Sequence, residues 1–174
     1  MNNRPKKESV RLFKSDFMES MTHVHPITPL IMWSPLAIYL FYKAFFVSAL
    51  TIQEIALWIG IGLVVWTLTE YTVHRYVFHY PAKSKFGKRV IYLFHGIHHD
   101  EPDDATRLVM PPLPGVILMT ILFLIFRTFI PAQYIEVFMA TFIVGYLVYD
   151  YIHYATHHFP MTSTVGKYLR KYHL

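Results

Sequence analysis

The sequence predicts an all-α integral membrane protein, with four transmembrane helices in two hairpins under a cytosolic polyhistidine cap. Four apolar runs near spanning length, basic residues gathered between those runs, and histidines clustered on one side predict it. The chain has 174 residues, of which 54% are hydrophobic and 17% aromatic. Its mean hydropathy of +0.33 is too high for an ordinary soluble domain, and its length suits one domain.

The chain divides into a basic, interfacial segment over residues 1–28 and a membrane domain over residues 29–174. Arg4, Lys6, Lys7, Arg11 and Lys14 make the first segment positive. Leu12, Phe13, Phe17 and Met18 predict a short amphipathic helix over residues 10–21, lying on the bilayer surface. The start lacks an apolar core with a small-residue cleavage site, so it does not read as a signal peptide. His23 and His25 match no later spacing and read as polar residues of an interfacial loop.

The apolar runs are residues 29–50, 52–73, 113–130 and 134–152. Each approaches the roughly 20 residues that a helix needs to cross a hydrocarbon core. Tight turns near Gln53 and Gln133 pair them into hairpins. Lys43 and Arg127 lie close enough to those turns for their long side chains to snorkel to the interface. The N-terminus, residues 74–112 and residues 153–174 then share one side, which holds fourteen of the sixteen Lys and Arg residues. That excess makes it the cytoplasmic side. The same charge pattern explains the net charge of +5 as a membrane feature and leaves no nucleic-acid partner to invoke.

Nine of the eleven histidines fall in clusters, and every clustered one lies on that side: His74, His79, His95, His98, His99, His153, His157, His158 and His173. The chain has no cysteine, so a metal site must use imidazole, which suits Zn, Cu, Fe and Ni. On an α-helix His95 shares a face with His98 and His99, and His153 with His157. His74 and His79 are five apart and do not share one. They fit a helix ending between them, or service to different metals. So many imidazoles exceed what one ion can use, and two metals are implied. Glu70 and Asp150 are candidates for accepting the free ring N–H of a ligand, with helix-end polarity as the alternative. Asp100 reads as solvated. No HExxH, nucleophile elbow, P-loop or dinucleotide fingerprint occurs. The many Tyr and Phe residues suit packing and interfacial belts.

The stretches EYTVHRYVFHY, FHGIHHD, TRLVMPP, GYLVYDYIHYATHH and KYLRKYHL resemble the membrane fatty acid hydroxylases of the sterol desaturase and hydroxylase group. The likeness is greatest to those acting at C2 of sphingolipid acyl chains. The resemblance implies a diiron centre held by the nine clustered histidines, with zinc able to occupy the same imidazoles. It also implies O2 as co-substrate and insertion of one oxygen atom into an unactivated C–H bond of an acyl lipid. The family's terminal HxxHH is cut after His173, so the chain is expected to be truncated at its C-terminus. Some relatives carry a cytochrome b5-like domain whose HPGG is not found here, so a separate cytochrome b5-like or ferredoxin-like electron donor is expected. A sterol or carotenoid oxygenase or a desaturase is the alternative enzyme. A membrane metal carrier is the non-enzymatic one, although a carrier would place its ligands at the bilayer midplane.

Overall fold

The computed structural model describes residues 10–102 and 104–173, with the side chains of all except Phe94, His98, Tyr172 and His173. The ligand roles expected of His98 and His173 therefore fall outside the described side chains. All regular structure among the described residues is helical. In chain order the helices are α1 (Asp16–Ser20), α2 (Thr28–Tyr42), α3 (Ile52–Thr72), α4 (Lys85–Ile91), α5 (Ile97–Asp100), α6 (Pro112–Phe126), α7 (Ile135–His158) and α8 (Thr164–His173). Wider π-helical turns extend α2 over Lys43–Val47 and α3 over Val73–Phe78, and join α4 to α5 over Tyr92–Gly96.

Three of the four expected spans reach membrane-crossing length: Thr28–Val47, Ile52–Phe78 and Ile135–His158. The run over 113–130 forms only the 15-residue α6. At 1.5 Å per residue α6 covers about 22 Å, short of the roughly 30 Å hydrocarbon core. Pro111 and Pro112 start it, since a first helical turn tolerates missing N–H donors. Beyond Phe126 the backbone tightens into turns.

The core lies along α7, where Val137 to Ile143 are all buried. Phe138, Met139 and Phe142 pack against Trp58 and Trp66 of α3 and Phe126 of α6, while Ile143 and Leu147 meet Trp33 and Ala37 of α2. The other long helices expose apolar residues such as Ile31, Ile38, Leu57 and Leu68, as lipid-facing helices do. In lipid, helices associate by close packing instead of by escape from water. Gly62 provides such a contact: a Cβ there would sit 2.9 Å from Thr141 Cβ on α7.

Polar ties join the hairpins at the end away from the histidines. Thr51 and Glu54 form a capping box at the start of α3. Tyr134 donates to Glu54 Oε1 at 2.7 Å, so the two turns are fastened together. Lys43 does more than snorkel, because it pairs with Glu136 of α7. Arg127 lies over the Phe123 ring at 5.9 Å.

The helix expected over 10–21 shortens to α1. Backbone N–H groups of Leu12 and Phe13 donate to Glu19 Oε2 at 2.8 and 2.7 Å, and Val10 N–H donates to Glu101 Oε1 at 2.6 Å. These carboxylates take the donors that a helix would use, and residues 10–13 stay outside any helix, tied to the histidine-bearing cap. Arg107, with 1% of its side chain exposed, closes this junction. Its Nη2 shares its two hydrogens among Val10 O at 2.9 Å, Glu19 Oε1 at 2.8 Å and His23 Nε2 at 2.9 Å. It also faces Glu101 and Asp104.

Candidate metal centre

The five-residue spacing of His74 and His79 would separate them on an α-helix. The helix widens there instead, and His79 N–H donates to His74 O at 3.2 Å, a bond from residue i+5 to residue i. One such turn brings both imidazoles to the same side, with ring centroids 5.0 Å apart. The π turn over Tyr92–Gly96 likewise re-aims His95 toward them. Its ring lies 4.6 Å from His74 and 4.8 Å from His79, and 4.8 Å from His99. Isolated π turns recur at functional sites because they redirect a side chain without ending the helix.

The Nε2 atoms of four histidines form a chain of close contacts. His74 to His79 is 3.2 Å, His79 to His95 is 3.2 Å, and His95 to His99 is 3.1 Å. Each Nε2 carries either one hydrogen or one lone pair. Four such atoms in a row can therefore satisfy at most two of the three contacts by hydrogen bonding. A cation shared by lone pairs satisfies them together. Ligands about 2.05 Å from a tetrahedral ion lie about 3.3 Å apart, close to the spacing seen. Among the described residues, His74, His79 and His95 form a group able to hold one ion. Burial, followed by the charge of His79, holds His99 below the ordinary histidine range. That direction favours the neutral ring that a metal ligand uses.

Tyr149 settles the orientation of His74. Its hydroxyl lies 3.3 Å from His74 Nδ1 and donates to Glu70. Glu70 Oε1 itself is 3.8 Å from Nδ1, so the phenol stands between the carboxylate and the imidazole. A hydrogen on Nδ1 leaves the Nε2 lone pair to face the other histidines. The reading of Tyr residues as packing and belts overlooked this one. Its position four residues before His153 was the available signal.

The C-terminal histidines occupy the last turns of α7. His153 is buried at 7% exposure, and its ring lies 5.1 Å from that of His157. His157 donates to the Pro102 carbonyl and lies within electrostatic reach of His99, so the second cluster adjoins the first. The His158 ring lies 4.6 Å from that of Tyr154, tilted against it by 32°. Asp150 is 6% exposed, and among the described residues its buried Oδ2 has no hydrogen-bond partner. Asp100 is exposed but accepts a hydrogen bond from Tyr92. Burial, then that bond and the charges of Asp100 and Glu101, raise the phenol of Tyr92 above its ordinary range. His25 keeps to the N-terminal loop, where its Nδ1 accepts from Ile27 N–H at 3.2 Å. His23, read as a loop residue, bonds Thr106 Oγ1 at 2.7 Å and joins the Arg107 junction.

A mostly apolar cavity runs from His74, His95 and His153 into the bundle between α2, α3, α6 and α7. Trp33, Leu118, Met119, Leu122 and Phe142 line its apolar depth. Its walls suit an apolar chain with a polar end at the histidines.

Residues 59–174 match the family model described as "Fatty acid hydroxylase". The chain is 35% identical over 170 residues to the dihydroceramide fatty acyl 2-hydroxylase FAH2 of Arabidopsis thaliana, covering 96% of this chain and 70% of that protein. It is 31% identical to the fatty acid 2-hydroxylase of Rattus norvegicus, covering 88% of this chain and 46% of the relative. The scs7p hydroxylase domain, solved from the full-length protein, superposes with a TM-score of 0.83 at 30% identity, covering 91% of this chain and 60% of that one.

Proposed function

The chain belongs to the fatty acid hydroxylase family, and from that premise we propose that it is an O2-dependent membrane hydroxylase inserting one oxygen atom at C2 of a fatty acid or sphingolipid N-acyl chain. The observation carrying this reading is the convergence of the His74, His79 and His95 imidazoles, with His99 in contact with His95, beside an apolar cavity that His74, His95 and His153 line. Two iron ions would be held by His74, His79, His95, His98, His99, His153, His157, His158 and His173. When bound, such ions supply the activation of O2 for attack on an unactivated C–H bond.

The protein's own groups supply position and surroundings. Tyr149, with Glu70 behind it, orients His74 and holds a hydrogen on Nδ1. The cavity walls exclude water and hold the acyl chain with its carboxyl-derived end toward the histidines. In this reading α6 completes a fourth crossing together with the turns after it. The positive-inside pattern puts the cap and its metals on the cytoplasmic side. A separate cytochrome b5-like or ferredoxin-like donor delivers the two electrons there.

Lipid mass spectrometry on cells expressing the chain tests the proposal, with His95→Ala as control. The expected result is a gain of one oxygen on acyl chains, placed at C2 by fragmentation and absent from the control. An iron-loaded, reduced protein that yields no hydroxylated lipid would refute it.

A further inference from the structure

A second apolar space meets the same histidines from the opposite side. It is an open groove between α3 and α7, whose apolar lining includes Leu63, Val144, Val148 and Ile152. The groove and the interior cavity have Trp66, Glu70, His74, Tyr149 and His153 in common and diverge from there. The two spaces therefore form arms with one polar end. Leu63, Val144, Val148 and Ile152 all expose apolar surface, so this arm is open along the lipid-facing side.

Trp66 is the wall between the arms. A Cβ at position 145 would lie 2.5 Å from Trp66 Cγ, so the indole sits directly on the α7 backbone where only glycine leaves room. Edge contacts to Phe142 at 5.0 Å and Tyr146 at 6.1 Å hold it in place. The interior arm follows α7 from His153 to Phe142, eleven residues or about 16 Å of helix, and ends against the packed aromatic core.

We infer that the α3–α7 groove seats the second hydrocarbon chain of a two-chain, amide-linked lipid whose acyl chain occupies the interior cavity, with Trp66 separating the two. This rests on the reading of the histidine centre as an acyl hydroxylase. A single-chain fatty acid fills one arm and leaves the other to bulk lipid. A lipid with two chains diverging from one amide fills both, with the amide beside the shared polar end. The continuity of the groove with the histidine site argues for a substrate chain there instead of a passing bilayer lipid.

The test uses two ceramide probes in membranes containing the full chain. One carries a diazirine on the acyl tail and the other on the long-chain base, and the cross-linked peptides are mapped by mass spectrometry. The expected result is acyl-tail labelling of Leu118 to Leu122 and long-chain-base labelling of Val144 to Ile152. Excess unlabelled ceramide displaces both, and Val148→Trp abolishes the groove label while the α6 label persists. Both probes on one arm, or a groove label that ceramide does not displace, would overturn the inference. If the acyl-tail probe reaches the interior cavity and C2 product forms while the groove stays unlabelled, only the two-arm assignment falls. If no probe reaches the interior cavity and no product forms, the hydroxylase reading falls with it.

Discussion

Replacing Arg107 with alanine tests how the N-terminal segment is fixed to the cap. The guanidinium is 1% exposed and serves Val10 O, Glu19, Glu101, Asp104 and His23 at once. The Glu101 side chain is 6% exposed and that of Glu19 15%. Removing the cation leaves these carboxylates close together without their countercharge, which costs about 3–5 kcal/mol when one partner of a buried pair is lost. A chain of this size shifts by about 2–4 °C per kcal/mol, so the loss corresponds to about 6–20 °C in Tm. Thermal unfolding in detergent measures it. Trypsin cleavage after Arg11 and Lys14 reports the local part, because residues 10–13 are held by the same junction. Arg107→Met combined with Glu19→Gln should recover part of the loss by removing a charge along with its partner. A Tm within a degree of wild type, with unchanged trypsin resistance, would refute the reasoning.

Acidification should release the same segment. Burial pushes Glu19 up, but the N–H groups of Phe13 and Leu12, with Arg107, outweigh it and hold the carboxyl below its ordinary value of 4.5. Its contribution is therefore complete above about pH 4.5 and is lost as pH falls through the depressed folded value. Trypsin sensitivity of the segment should rise only in that acid window, and a Glu19→Gln variant should not show the step. Tyr149→Phe removes the hydroxyl between Glu70 and His74 and should weaken metal binding about 10–100-fold in chelator competition; unchanged affinity would deny Tyr149 its positioning role. Gly62→Ala puts a Cβ 2.9 Å from Thr141 Cβ and should cost about 1–3 kcal/mol in thermal unfolding, while a neutral result would show that α3 and α7 separate freely.

Hydropathy, charge asymmetry and histidine clustering already placed an all-helical membrane protein and its candidate ligands on one side. Those features follow from properties each residue carries in any fold: transfer cost into lipid, charge, and ring nitrogens. The family came instead from the resemblance carried by the histidine-bearing stretches and TRLVMPP, which the family model over residues 59–174 bears out. Helix length was legible only where apolarity and hydrogen bonding agreed. The run over 113–130 is apolar throughout, yet its last residues leave the helix for tighter turns.

What the sequence could not decide depended on local backbone choice and on distant neighbours. An α-helical ruler separates His74 from His79, and only the π turn, a local gain of one residue per turn, unites them. Tyr149 looked like one more aromatic among many until α7 packed beside α3 and put its hydroxyl at His74. The amphipathic pattern of residues 10–21 predicted a helix, but Glu19, Glu101 and Arg107, gathered from positions far apart in the chain, captured its backbone instead. Sequence by itself determined which side chains were available and where along the chain they cluster. Only the tertiary structure decided which nitrogen faces which, because such contacts are set by the distance between helices and not by spacing along any one of them.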